Sequence, residues 1–277
     1  GPVHLDIPCD VGTQLCSYDL ELVPPYRPKR PIPSPEEIEL VVDALSEAKR
    51  PLLIAGGGVA RSGAVAEFRA LIEQCNMLTM STTNGRGVLD PECPNNIGSG
   101  GLIAGQVIID AAQEADLVLA IGCKFSTFTP IHKPPHFPKP QDQKIIQIDI
   151  DAESIGRAAP ISVGLVGDAK ATIEALTRRL EEGVDLQQDE QWKNSIQKKR
   201  RECDEVYSAS ASEAKVVGGN GLLNESAVAQ ALSGLLPTDA IIAHDGGQTM
   251  MWTLSHIQVD SPEKSLFVPG MGHLGFG

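Results

Sequence analysis

Three consecutive glycines, Gly56, Gly57 and Gly58, follow the apolar run Leu52, Leu53 and Ile54 almost directly. An apolar run without polar alternation reads as a buried parallel strand, and glycine at its end permits positive φ and a close approach of backbone to a ligand. A helix is predicted over residues 63–75, with Val65, Phe68, Ile72 and Cys75 on one face. The glycine turn would then aim free N–H groups and a positive helix end at an anion, which is the chemistry of a phosphate cradle. The dinucleotide fingerprint is nonetheless incomplete. Arg61 stands where the third glycine belongs, and the position of the ribose-binding acid falls among Leu78, Thr79 and Met80. Spacing alone leaves two readings open, a nucleotide site and a tight strand-to-helix turn that binds nothing.

Asp149 and Asp151 lie at the end of an apolar strand predicted over residues 144–150, where they can hold a ribose hydroxyl or a metal, or act as caps. Gly85 and Gly87 bracket Arg86 in a loop after another predicted strand, where open parallel sheets seat their ligands. The chain carries no G-x-S-x-G elbow, no H-E-x-x-H pair and no calcium loop, and its six histidines show no ligand spacing.

Positioning these residues requires a sheet. Ser34, Pro35 and Glu37 form a helix start with an N-cap, a proline at the first position and a capping box, and Ile38, Val41, Val42 and Leu45 then recur at helical spacing. Strands are predicted over 51–54, 77–80, 117–121, 144–150 and 163–166. Further helices fall at 102–114 and at 169–182, the second capped by Asp168 and ended by Gly183. Residues 97–101 read as a loop, 130–140 as a proline-rich excursion and 154–157 as a short helical turn. Strands alternating with helices at this spacing imply an α/β fold with a right-handed, doubly wound parallel sheet of five or six strands.

On either side the text changes. Residues 3–7 read as a strand whose partners lie outside the chain, and 13–33, with five prolines from Pro24 to Pro33, as an extended linker. Residues 188–211, with the run Lys198, Lys199, Arg200, Arg201, read as a charged surface helix between domains. Asn224 caps a helix ending near Leu236, and a strand over 240–243 delivers HDGGQTMMW, the start of a second α/β unit. The resulting segments are 1–12, 13–33, 34–183, 184–219 and 220–277.

Composition narrows the class. Lys plus Arg number 23 against 36 for Asp plus Glu, and a net charge of −13 disfavours nucleic acid and anionic membranes as partners. Six cysteines without a C-x-x-C pair fit a reduced, cytoplasmic setting. No apolar run approaches the roughly 20 residues that span a bilayer. The chain opens on GPVHLDIP without an initiator Met and reads as a piece of something longer.

The order of segments resembles the thiamine-diphosphate-dependent carboligases and decarboxylases of the acetolactate synthase type. GPVHLDIPCDV is similar to the last strand of that family's pyrimidine-binding domain. RPLLIAGGGVARSGA, ADLVLAIGCKFS and KIIQIDIDAESIGR are similar to its Rossmann-like central domain, and AIIAHDGGQTMMW with FVPGMGHLGFG to the opening of its diphosphate-binding domain. The resemblance covers essentially the whole chain. It implies that residues 1–12 end a pyrimidine domain, 34–183 form the central domain, 184–219 link, and 220–277 begin the diphosphate domain.

It further implies that Gly247, Gln248 and Thr249 contact the cofactor's diphosphate, that the Gly272 carbonyl meets the aminopyrimidine, and that Leu274 props the bent cofactor. Thr249 departs from the histidine of acetolactate synthases. Gly56, Gly57, Gly58, Thr82, Thr83, Asp149 and Asp168 match positions that line a central-domain nucleotide, FAD in some members, ADP or coenzyme A in others and nothing in many. The synthase pattern R-F-D-D-R is here Lys124, Phe125, Ser126, Thr127, Phe128, which removes two arginine forks and weakens the case for FAD. The implied cofactors of the parent are thiamine diphosphate and Mg2+, its substrate a 2-oxo acid, its assembly a homodimer or homotetramer and its class a transferase or lyase. The family's catalytic glutamate would precede Gly1 and its magnesium motif follow Gly277, so the chain by itself is expected to be inactive. The alternative is a non-catalytic FAD- or ADP-binding domain, or a scaffold.

Overall fold

The computed structural model describes residues 3–15, 17, 29–100, 105–126, 129, 142–213, 216–217, 222–267 and 274–275. Its centre is a six-stranded sheet of β1 (Pro51–Ala55), β2 (Leu78–Ser81), β3 (Asn96–Ser99), β4 (Leu117–Ile121), β5 (Lys144–Asp149) and β6 (Val163–Val166), in the order β3-β2-β1-β4-β5-β6. Every neighbouring pair is parallel, as the doubly wound reading required. Five of these strands follow from apolar runs. The sixth, β3, reads as a loop in the sequence because NIGS is short and glycine-containing, yet it pairs with β2 through an irregular register at the sheet edge.

Alternation along β1 divides the core. Leu53 and Ala55 face one layer, joined by Leu119, Ile121, Ile146 and Ile148 of β4 and β5. That layer is closed by helix α2 (Pro35–Glu47), by α4 (Val65–Cys75) through Phe68, Leu71 and Ile72, and by α6 (Ala169–Glu181) through Ile173 and Leu176. Leu52 and Ile54 face the opposite layer, covered by α5 (Gln106–Glu114) and by α7 (Glu190–Glu213), which inserts Trp192 and Ile196. The helix read as a surface linker is therefore also a lid on the core. Its charged face made it look solvated, while its first turns carry the two large apolar residues that bury.

Helix starts match their side-chain signals. Ser34 Oγ accepts from Glu37 N–H and Glu37 Oε2 accepts from Ser34 N–H, closing the capping box on α2. Asp168 Oδ1 accepts from Ala171 N–H and caps α6. After β1, by contrast, a short helix α3 (Gly57–Arg61) begins at once, before α4, where a single helix over 63–75 was expected. Gly63 at φ 68° makes the break between the two.

Residues 3–8 form no strand. They are exposed and lead into a one-turn helix, α1 (Cys9–Gly12), since a lone β-type sequence gains nothing from an extended form without a partner edge. The expected helix over 102–114 begins at Gln106, residues 101–104 lying outside the described set, as do 130–141 of the proline-rich excursion. The turn predicted at 154–157 is a 3-10 turn at Ala152–Ser154.

The second unit contains a short hairpin of β7 (Val216–Val217) and β8 (Leu222–Leu223), then α8 (Glu225–Leu235), β9 (Ile242–Ala243), α9 (Gln248–His256) and β10 (Ser265–Leu266). β9 and β10 are parallel, consistent with the start of a second α/β layer. Two arginines tie it to the central sheet. Arg69 donates to Val88 O, Gly87 O and Asp260 O, and Arg86 donates through Nη2 to Ile257 O.

Candidate functional site

The strand order reverses between β1 and β4, so the loops after these two strands part and leave a crevice at the carboxyl ends of the sheet. A cavity of about 480 Å³ opens there, and Gly57, Gly58, Thr82, Thr83, Asp149 and Asp168 all line it. These residues span more than a hundred positions of sequence, and only the parallel winding brings them together. Gly56 is not on the wall.

The glycines act differently from the sequence expectation. Gly56 N–H donates to Ile121 O at 2.9 Å and Gly58 N–H to Gly122 O at 3.0 Å, so two of the three amides expected to face an anion are committed to the end of β4 and the residue that follows it. A Cβ on Gly56 would lie 2.0 Å from Gly122 O. These two glycines are required by backbone against backbone, while Gly57 stands against the Asn84 side chain and borders the crevice.

Other walls bring functional groups. Thr82 Oγ1 accepts from Gly85 N–H at 3.2 Å and holds the turn after β2. Asp149 is 4% exposed, and its Oδ1 accepts from Asp151 N–H at 3.0 Å. Asp168 caps α6 and accepts from Arg30 Nη1 at 2.9 Å. Lys124 and Arg61, on the same wall, supply positive charge. Lys124 Nζ sits 2.9 Å from Asp151 Oδ2, and this bond, with those from Ser154 Oγ and Glu153 N–H, holds the Asp151 carboxyl down at about 2. Cys123 is no nucleophile, because burial pushes its thiol up to about 12. Carboxylates on the β5 and α6 side, threonine hydroxyls on the β2 side and two cations suit a polar ligand with hydroxyls and an anionic group. In the sequence Arg61 and Lys124 stand out only as departures from motifs; the signal that marks them is their place in the segments that follow β1 and β4.

The predicted diphosphate residues lie elsewhere. Gly247, at φ 81°, is the N-cap of α9, with open space where a Cβ would be, and Gln248 and Thr249 begin the helix. Their turn belongs to the second unit, and none of the three lines the crevice. Gln248 instead borders a second cavity of about 800 Å³ between the units. Leu274 is 79% exposed and its neighbour Gly275 donates to Asp245 Oδ2 at 2.7 Å. Gly272 lies outside the described residues. Among the described residues, no group of three or more His, Cys, Asp or Glu side chains is placed to hold a metal, and no helix is long and apolar enough to cross a membrane.

A doubly wound parallel sheet with its crevice at the β1/β4 switch point is a Rossmann-like α/β domain. Residues 38–176 match the family described as thiamine pyrophosphate enzyme, central domain, and the chain belongs to that family. All of the chain aligns at 29% identity with a probable acetolactate synthase large subunit of Methanococcus aeolicus, covering 47% of that protein. It aligns equally at 29% with the acetolactate synthase isozyme 2 large subunit of Escherichia coli (47% covered) and with a probable 2-ketoarginine decarboxylase of Pseudomonas aeruginosa (46% covered). The chain spans about half the length of these relatives.

Proposed function

We propose that the chain is part of a thiamine-diphosphate-dependent enzyme that cleaves or joins carbon–carbon bonds at a 2-oxo acid, and that its central-domain crevice takes the ADP moiety of a nucleotide, as ADP itself or as half of FAD. The observation that carries the nucleotide reading is the gathering of Gly57, Gly58, Thr82, Thr83, Asp149 and Asp168 around one cavity at the switch point. Asp149 and Asp168 offer acceptors for ribose hydroxyls. Arg61, with Lys124 beside it in its pair with Asp151, offers the counter-charge for phosphates, in place of the amides that Gly56 and Gly58 have committed to Ile121 and Gly122.

Thiamine diphosphate, when bound, supplies an electron sink for carbon–carbon chemistry. The residues that fit its anionic end are Gly247, Gln248 and Thr249. A glycine N-cap at positive φ leaves the first amides of α9 without helical acceptors, and the space above Gly247 is clear. Assembly as a homodimer or homotetramer belongs to the same reading, as do Mg2+ and a transferase or lyase activity in the whole protein.

Thermal unfolding with ADP and with FAD tests the crevice, since a ligand that binds only the folded state raises the melting temperature. Asp149→Ala, which removes a crevice acceptor, should abolish the rise, as should Gly57→Val, whose side chain would crowd Asn84 and the crevice wall. No rise with either nucleotide at millimolar concentration would favour a scaffold domain.

A further inference from the structure

The cavity of about 800 Å³ between the central sheet and the second unit has a feature that the nucleotide crevice does not explain. Arg86 lines it, yet is only 7% exposed. Its guanidinium donates to Ile257 O, and among the described residues no carboxylate pairs with it. The other cations on this wall are neutralised. Lys199 Nζ lies 2.7 Å from Asp110 Oδ2, Arg200 Nε lies 2.7 Å from Asp204 Oδ2, and the wall's remaining carboxylate, Glu202, is matched from outside by Lys198 Nζ at 3.5 Å. Burial without a counter-charge is costly enough to lower the Arg86 pKa to about 10. Buried charges are retained where something pairs with them, and the space beside Arg86 is where that partner would sit.

The rest of the wall describes the partner. Thr83 and Gln248 bring neutral hydrogen-bonding groups, while Ile97, Ile108, Met251 and Trp252 bring apolar surface. One cation supported by neutral donors balances a single negative charge, and the planar fork of arginine matches a carboxylate. A dianionic phosphate would be left under-compensated. We propose that this cavity binds a small monocarboxylate with an apolar body, its carboxylate seated on Arg86 and its chain lying along Ile97, Ile108 and Met251. The site shares only Thr83 with the nucleotide crevice. It does not rest on the thiamine reading, and its test requires neither cofactor.

The chain carries its own reporter. Trp252 lines the cavity, whereas the other tryptophan, Trp192, is buried against the sheet beneath α7. Octanoate titrated into the 277-residue chain should give a saturable change in tryptophan emission, lost in Trp252→Phe and matched by calorimetry. Shorter carboxylates should weaken by about fourfold per CH₂ removed, and octylamine should not bind. Arg86→Gln, which removes the charge and keeps an amide donor for Ile257 O, should weaken octanoate by about tenfold or more with the circular dichroism unchanged. Met251→Trp, at a half-exposed position, should weaken octanoate by filling the apolar end while leaving the circular dichroism unchanged. Equal affinity of Arg86→Gln for octanoate, or of the native chain for octanol and octanoate, would overturn the role of Arg86. Tighter binding of octyl phosphate than of octanoate would overturn the carboxylate assignment.

Discussion

Gly58 and Gly122 pack backbone to backbone at the floor of the crevice. Gly58 N–H donates to Gly122 O at 3.0 Å, and a Cβ on either residue would fall 2.6 Å from the Cα of the other. Gly122 also sits at φ 61°, in the left-handed region. Gly58→Val and Gly122→Val should each destabilise the fold by about 3 kcal/mol or more through forced backbone separation, with Gly122→Val the worse because a β-branched residue strains at positive φ. Gly63→Ala is the control. It shares a positive φ but has nothing within 4 Å of the added carbon, and should cost about 1–2 kcal/mol. Urea unfolding of the three variants measures the difference.

Trp192 is the large side chain that α7 contributes to the sheet face formed by Leu52, Ile54 and Val118. Trp192→Ala should cost about 3–5 kcal/mol. By the same argument the segment 34–182, although it contains all six strands, should melt at a lower temperature than 34–213, which keeps the helix. Equal melting temperatures would show that α7 only rests on the sheet.

His244 is 5% exposed and stacks on Phe267 with ring centroids 4.9 Å apart, and neither ring nitrogen has a hydrogen-bond partner among the described residues. Burial, and secondarily the Arg86 charge, push its pKa down to about 4. An unfolded histidine titrates near 6.5, so between these values the unfolded chain takes up a proton that the folded one refuses. The contribution to stability is intact above about pH 6.5 and is lost as pH falls towards about 4, amounting to about 3 kcal/mol at most. His244→Phe keeps the stack and removes the titration. Its stability should match or exceed that of the native chain at pH 7, and the difference should widen on acidification to pH 4.5.

Asp168 carries structural and ligand-facing duties together. It caps α6, meets Arg30 and borders the crevice. Asp168→Ala should lower stability by about 1 kcal/mol through loss of the cap, the half-exposed Arg30 pair adding little. Asp168→Asn, which can still cap, should keep most of that stability while weakening a nucleotide that uses the carboxylate. Equal nucleotide responses in the native chain and Asp168→Asn would assign Asp168 to structure alone.

The sequence by itself determined the class of fold and most of its elements, because the responsible interactions are local or periodic. Ser34 and Glu37 close a capping box within four residues, Asp168 caps α6 within four, and the apolar runs of β1, β4 and β5 admit no exposed face. The order of its motifs also pointed to the thiamine-diphosphate family, which the match over residues 38–176 bears out. Tertiary structure decided whatever depends on a partner distant in the chain. The short edge strand β3 exists because β2 offers it hydrogen bonds, and residues 3–8 stay irregular because no edge among the described residues does. The Gly56 and Gly58 amides look free in the sequence, but the end of β4 takes the first at Ile121 O and the loop after it takes the second at Gly122 O. Arg86, a loop arginine between two glycines, became a buried cation only when the second unit laid Ile257 across it. Desolvation and counter-charge are properties of enclosed space, and no local pattern of residues encodes which side chain that space will enclose.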